Sequence, residues 1–67
     1  MDPTEPVIQL DQFMKLVGMV STGGQAKRVI QGGKVLLNGV VETRRKKKLR
    51  RGDKITFNGQ TVVVEFE

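Results

Sequence analysis

The sequence contains no cysteine, no histidine, no tryptophan and no tyrosine. Without cysteine there are neither disulfides nor thiolate metal sites, and thiol catalysis is excluded as well. Without histidine the commonest general acid and base at neutral pH is missing. Asp11, Glu42 and Asp53 read as a helix cap, a hairpin position and a turn, so no paired carboxylates stand at an informative spacing. The three aromatics, Phe13, Phe57 and Phe66, fall at core positions, which argues against base-stacking platforms. No apolar run approaches the roughly 20 residues of a membrane span, and the acidic segment from Met1 to Glu5 does not resemble a signal peptide. The expectation is a soluble, cytoplasmic protein that is not an enzyme, with no catalytic residues, no metal, no cofactor and no small-molecule substrate.

What is present is charge, distributed unevenly. The formal net charge is +5, but residues 1–14 carry −3, residues 15–54 carry +10 and residues 55–67 carry −2. Every Lys and Arg lies between Lys15 and Lys54, which concentrates the field in mid-chain and favours a polyanionic partner. At 67 residues, with 37% hydrophobic and 28% charged, the chain has room for one folded domain with a modest core and none for a separate catalytic domain.

Residues 1–9 hold both prolines, Pro3 and Pro6, and read as a lead-in to a single domain over 10–67, with Val7 and Ile8 adding a short strand. Leu10, Phe13, Met14, Leu16 and Val17 share one side of a helical wheel opposite Asp11, Gln12 and Lys15, with Asp11 as N-cap and Gly18 as stop. A second helix starts at Thr22 with Gln25 completing a capping box, buries Ala26, Val29 and Ile30, exposes Lys27, Arg28 and Gln31, and ends at Gly32-Gly33. Gly23-Gly24 at its start reads equally as a flexible turn or as a close approach for phosphate.

Beyond Gly33 the hydrophobic period changes from helical to alternating. Residues 34–37 and 40–43 flank Asn38-Gly39, and residues 54–57 and 60–66 flank Asn58-Gly59; both dipeptides suit a tight type I′ hairpin. Ile55 and Phe57 share a face, as do Val62, Val64 and Phe66. Two hairpins make a small antiparallel sheet, and its apolar face is the partner the helix stripes require. The expected class is α+β.

Between the hairpins, residues 44–51 read Arg44-Arg45-Lys46-Lys47-Lys48-Leu49-Arg50-Arg51, seven cations in eight positions. Self-repulsion among them is relieved by a phosphate backbone, through neutralisation and counterion release. Leu49 pins the segment to the core, and Gly52-Asp53 turns the chain into the next strand. Basic runs are also common as solvated surface or as import signals. Lys27 and Arg28, on a separate exposed face, favour the nucleic-acid reading, with Lys15 and Lys34 as outlying candidates. Charge alone leaves DNA and an acidic or strand-donating protein partner open.

Three blocks carry a resemblance: Gly24-Gln25-Ala26-Lys27-Arg28-Val29-Ile30, Gly33-Lys34-Val35-Leu36-Leu37-Asn38-Gly39, and Leu49-Arg50-Arg51-Gly52-Asp53-Lys54-Ile55. Together, over about residues 10–57, they resemble the RNA-binding domain named after small-subunit ribosomal protein S-four. They are similar in particular to the short stand-alone bacterial members of the YbcJ and YaaA type. The resemblance implies an alpha-L fold, in which two helices and a small sheet present a basic groove to structured RNA; the leading expectation is ribosomal or transfer RNA, with ribosome association and a monomeric free state. It places RNA contacts on Lys27, Arg28 and Arg44 to Lys48, and the charge pattern adds Arg50 and Arg51. Many family members have Arg near the start of the second helix, where this sequence has Gly23, as the stand-alone members do.

Overall fold

The computed structural model describes residues 6–65. In chain order the elements are β1 (Ile8–Gln9), α1 (Leu10–Leu16), α2 (Gly23–Gln31), β2 (Val35–Leu37), β3 (Val40–Val41), β4 (Lys48–Leu49), β5 (Lys54–Phe57) and β6 (Gln60–Val63). They form an α+β unit with two antiparallel sheets: a pair, β1-β4, and four strands in the order β3-β2-β5-β6.

Helix α1 follows β1 without a loop. Leu10, Phe13 and Met14 lie three and four positions apart and are buried together. Leu16 and Val17, expected on the same side, are 75% and 38% exposed. Leu16 stands two residues beyond Met14, about 200° round the axis, and Val17 is already the C-cap. Gly18, at φ 81°, ends the helix, in a backbone region closed to most side chains. The N-cap is Gln9 with no side-chain bond, not Asp11; the Asp11 carboxylate instead accepts from the Gln12 amide at 2.8 Å.

Thr22 caps α2 as its sequence indicates: its hydroxyl accepts from the Gln25 amide at 3.1 Å. The reciprocal bond is displaced by one residue, since Gln25 Oε1 accepts from Ser21 N–H at 2.9 Å. Ala26 and Ile30 are fully buried, with Val29 packed at the edge. Gly23 and Gly24 are the first two helical residues, and the helix closes at Gly32.

Both hairpins turn on Asn-Gly pairs in which each residue has positive φ: 53° and 83° at Asn38-Gly39, 52° and 79° at Asn58-Gly59. The arms are shorter than the alternating pattern suggests, 35–37 with 40–41 and 54–57 with 60–63. In the central pair Leu37 faces Ile55, and in the second hairpin Ile55 faces Val62. Buried Val35, Ile55 and Val64 meet Leu10, Phe13, Met14, Val20, Ala26, Ile30 and Leu49 in one core, with Phe57 and Val62 partly buried against it. Phe66 lies outside the described residues. No helix among those described is long and apolar enough to cross a membrane.

Candidate nucleic-acid interface

The basic segment is not a free loop. Immediately before it, the Glu42 amide donates to the Val35 carbonyl at 3.0 Å, and the residue is only 9% exposed. Its carboxylate takes three bonds from Arg44: the backbone N–H at 3.1 Å and Nε at 2.9 Å on Oε2, and Nη2 at 3.2 Å on Oε1. A bidentate pair of this kind fixes direction as well as distance. The hydrogen bonding from Arg44 holds the Glu42 carboxyl below its ordinary range, against the opposing effect of burial, while Glu42 raises the Arg44 guanidinium. Glu42, read from sequence as an ordinary hairpin position, is therefore the electrostatic start of the segment.

From there the main chain docks onto α1. The Lys47 amide donates to the Arg44 carbonyl at 3.1 Å, closing a turn. The carbonyls of Lys47 and Arg45 accept from the amides of Leu10 and Asp11, each at 2.9 Å. Those amides are among the unpaired donors that any helix start presents. Next, Lys48–Leu49 pairs with Ile8–Gln9, and Leu49 is fully buried. The segment leaves through a turn in which the Asp53 carboxylate accepts from the Arg50 amide at 2.9 Å and from Asn38 Nδ2 at 3.2 Å. Asn38 Oδ1 in turn accepts from the Lys54 amide at 2.9 Å, so the first hairpin's turn residue also ties the segment's exit to β5.

The expected site residues occupy these places. Lys27 and Arg28 are exposed on α2. Lys46, Lys48, Arg50 and Arg51 are exposed, whereas Arg45 and Lys47 are half-buried. Arg44 is exposed over most of its side chain but is tied to Glu42, the one ion pair among the described residues. Lys47, Lys48 and Arg50 come together with Leu37, Asn38 and Asp53 around an open groove of about 320 Å³. Lys15 is exposed on α1 and aims at the start of α2: its Nζ lies 4.0 Å from where a Cβ on Gly23 would stand. Lys34 is exposed in the link to β2. No hydrogen bond or ion pair among the described residues joins Lys27 or Arg28 to the 44–51 segment. The connection runs through α1, which packs on α2 along one side and bonds to the segment through its first amides.

Comparison with known proteins follows the same outline. The sequence is 39% identical over 59 residues to YbcJ of Escherichia coli (strain K12), a candidate RNA-binding protein, covering 88% of this chain and 84% of YbcJ. It is 38% identical over 53 residues to RlbA of Bacillus subtilis (strain 168), a candidate ribosome maturation protein, covering 79% and 75% of the two chains. The structure resembles the solution structure of Escherichia coli YbcJ, which reveals an alpha-L motif involved in RNA binding: the TM-score is 0.64 at 35% identity, over 94% of this chain and 78% of YbcJ. Residues 1–65 match the S4 domain. With sequence, fold and motif in agreement, the chain belongs to the S4 domain family and has the alpha-L fold of its stand-alone bacterial members.

Proposed function

We propose that this protein is a non-catalytic RNA-binding protein that recognises structured RNA, ribosomal or transfer RNA, through the phosphate backbone. The contacts come from Lys27 and Arg28 on α2 and from the cations of 44–51, with Lys15 and Lys34 at the margins. The observation that carries this reading is the way the basic segment is held. The carbonyls of Arg44, Arg45, Lys47 and Arg50 and the one apolar side chain, Leu49, are engaged by the fold, while among the described residues only Arg44 of the seven cations has an ion-pair partner, which leaves the other six for a partner molecule. A segment already ordered loses less conformational entropy when it binds. The description of YbcJ as carrying an RNA-binding motif and of RlbA as a ribosome maturation protein supports RNA, and ribosomal RNA within it.

RNA duplexes hide their base edges in a deep, narrow groove, so a cationic surface without exposed aromatics reads shape more than sequence. If about five phosphates are neutralised, log K falls against log salt with a slope of roughly −3.5 to −4.5. Replacing Lys46 with Gln then weakens binding to all structured RNAs alike and flattens the slope by about 0.7 to 0.9. The test is a fluorescence titration of labelled transfer RNA and ribosomal RNA fragments across a salt series, with duplex DNA as competitor at equal salt. Salt-independent binding, or equal competition by DNA, contradicts the proposal.

A further inference from the structure

Seven cations in the 44–51 segment are equivalent by sequence but not by structure. Six have no ion-pair partner among the described residues, while Arg44 spends both arms of its guanidinium fork and its own amide on Glu42. The pair carries no net charge. Its geometric effect lies downstream, because the Arg44 carbonyl receives the Lys47 amide and the same turn delivers the Arg45 and Lys47 carbonyls to α1. Glu42 is itself fixed to β2 through the Val35 carbonyl. An unbroken chain of bonds thus runs from the four-stranded sheet, through Glu42 and Arg44, to the start of α1.

We propose that Glu42 is a positioning residue of the RNA interface, and that Arg44 serves through Glu42 as the clamp of the basic segment, not as a phosphate contact. The proposal rests on the RNA-binding reading and sharpens it, since it divides the basic run into one structural cation and six available ones. It also runs against simple electrostatics. A carboxylate within a phosphate-binding surface repels the ligand, so charge alone predicts tighter RNA binding when Glu42 is neutralised. Positioning predicts the reverse. In Glu42→Gln the side chain has nearly the same shape but presents an amide N–H₂ and one oxygen to a guanidinium that has only donors. The fork loses its partner, the 44–47 turn loosens, and the cations beyond it must be ordered again at each binding event.

The test compares wild type, Glu42→Gln and Arg44→Lys by two readouts. In free protein, amide hydrogen exchange at Leu10 and Asp11 is expected to speed up about tenfold in both variants while Ile55 stays protected, as in a local opening. With labelled transfer RNA and ribosomal RNA fragments, Kd is expected to rise about threefold to tenfold in both variants, although Glu42→Gln loses a negative charge and Arg44→Lys keeps its positive one. Unchanged exchange at Leu10 and Asp11, or tighter RNA binding by Glu42→Gln, overturns the proposal. Should wild type bind neither RNA, the functional reading fails, and the exchange data still decide whether Glu42 holds the segment. Arg44 is an exposed side chain, so Arg44→Lys carries both readouts if Glu42→Gln does not fold.

Discussion

At the level of single residues, the chemistry of this protein turns on one of its seven acids, set among twelve bases. Glu42 is nearly buried and its pKa is lowered, chiefly by the hydrogen bond from the Arg44 side chain. A carboxyl whose folded pKa lies below its unfolded value contributes stability above the unfolded value, and that contribution is lost as pH falls through the folded one. The expected loss therefore sets in below the ordinary range near 4.5. Other carboxyls titrate there too, so the informative quantity is the difference in melting temperature between wild type and Glu42→Gln, which should be largest near neutral pH and shrink in acid. A difference that holds constant down to about pH 3 contradicts the assignment. Leu49 offers a second test at this level. It is the only apolar residue in the basic run and is fully buried; truncation to Ala removes about 2 to 5 kcal/mol, a large part of what a domain of this size possesses. Chemical denaturation should show the midpoint falling sharply.

Among the elements, α2 is the most locally determined. Thr22→Ala removes the acceptor for the Gln25 amide and is expected to cost about 1 kcal/mol, or roughly 4 to 8 °C in thermal midpoint; a shift under 1 °C would mean that the cap is dispensable. The helices and hairpins were legible in sequence because their signals are local: a hydroxyl three residues before a glutamine, Asn-Gly at two turns, apolar spacing of three and four. What escaped depends on distant partners. Asp11 suggests a cap by residue type, but α1 starts earlier because β1 runs straight into it and the carbonyls of Arg45 and Lys47, more than thirty positions along the chain, satisfy its first amides. Leu16 groups with the buried side by its apolar character, although two positions beyond Met14 it points about 200° away round the helix and is exposed. The pairing of β4 with β1 could not be foreseen from a two-residue strand in a run of like charges. The candidate interface was legible as composition, while the separate state of Arg44 was not. An acid two positions before an arginine is too common a spacing to mark a clamp without the burial that makes it one.

For the molecule as a whole, the sheet orders hairpins that are consecutive in sequence, while the pairing of residues 8–9 with 48–49 closes the long circuit. This last contact is where the folded core and the charged surface meet, and it is made of main chain and one buried side chain, Leu49. Carbonyl oxygens of Arg45 and Lys47, and the backbone ladder of Lys48 and Leu49, do the holding. Backbone groups are the same in nearly every residue. A lysine at 46 or 48 can thus become glutamine, serine or glutamate and leave the segment's main-chain attachment to β1 and α1 in place. Arg44 apart, the cations that the segment turns outward and the groups that fasten it to the domain are thus different atoms, and one set can change without the other.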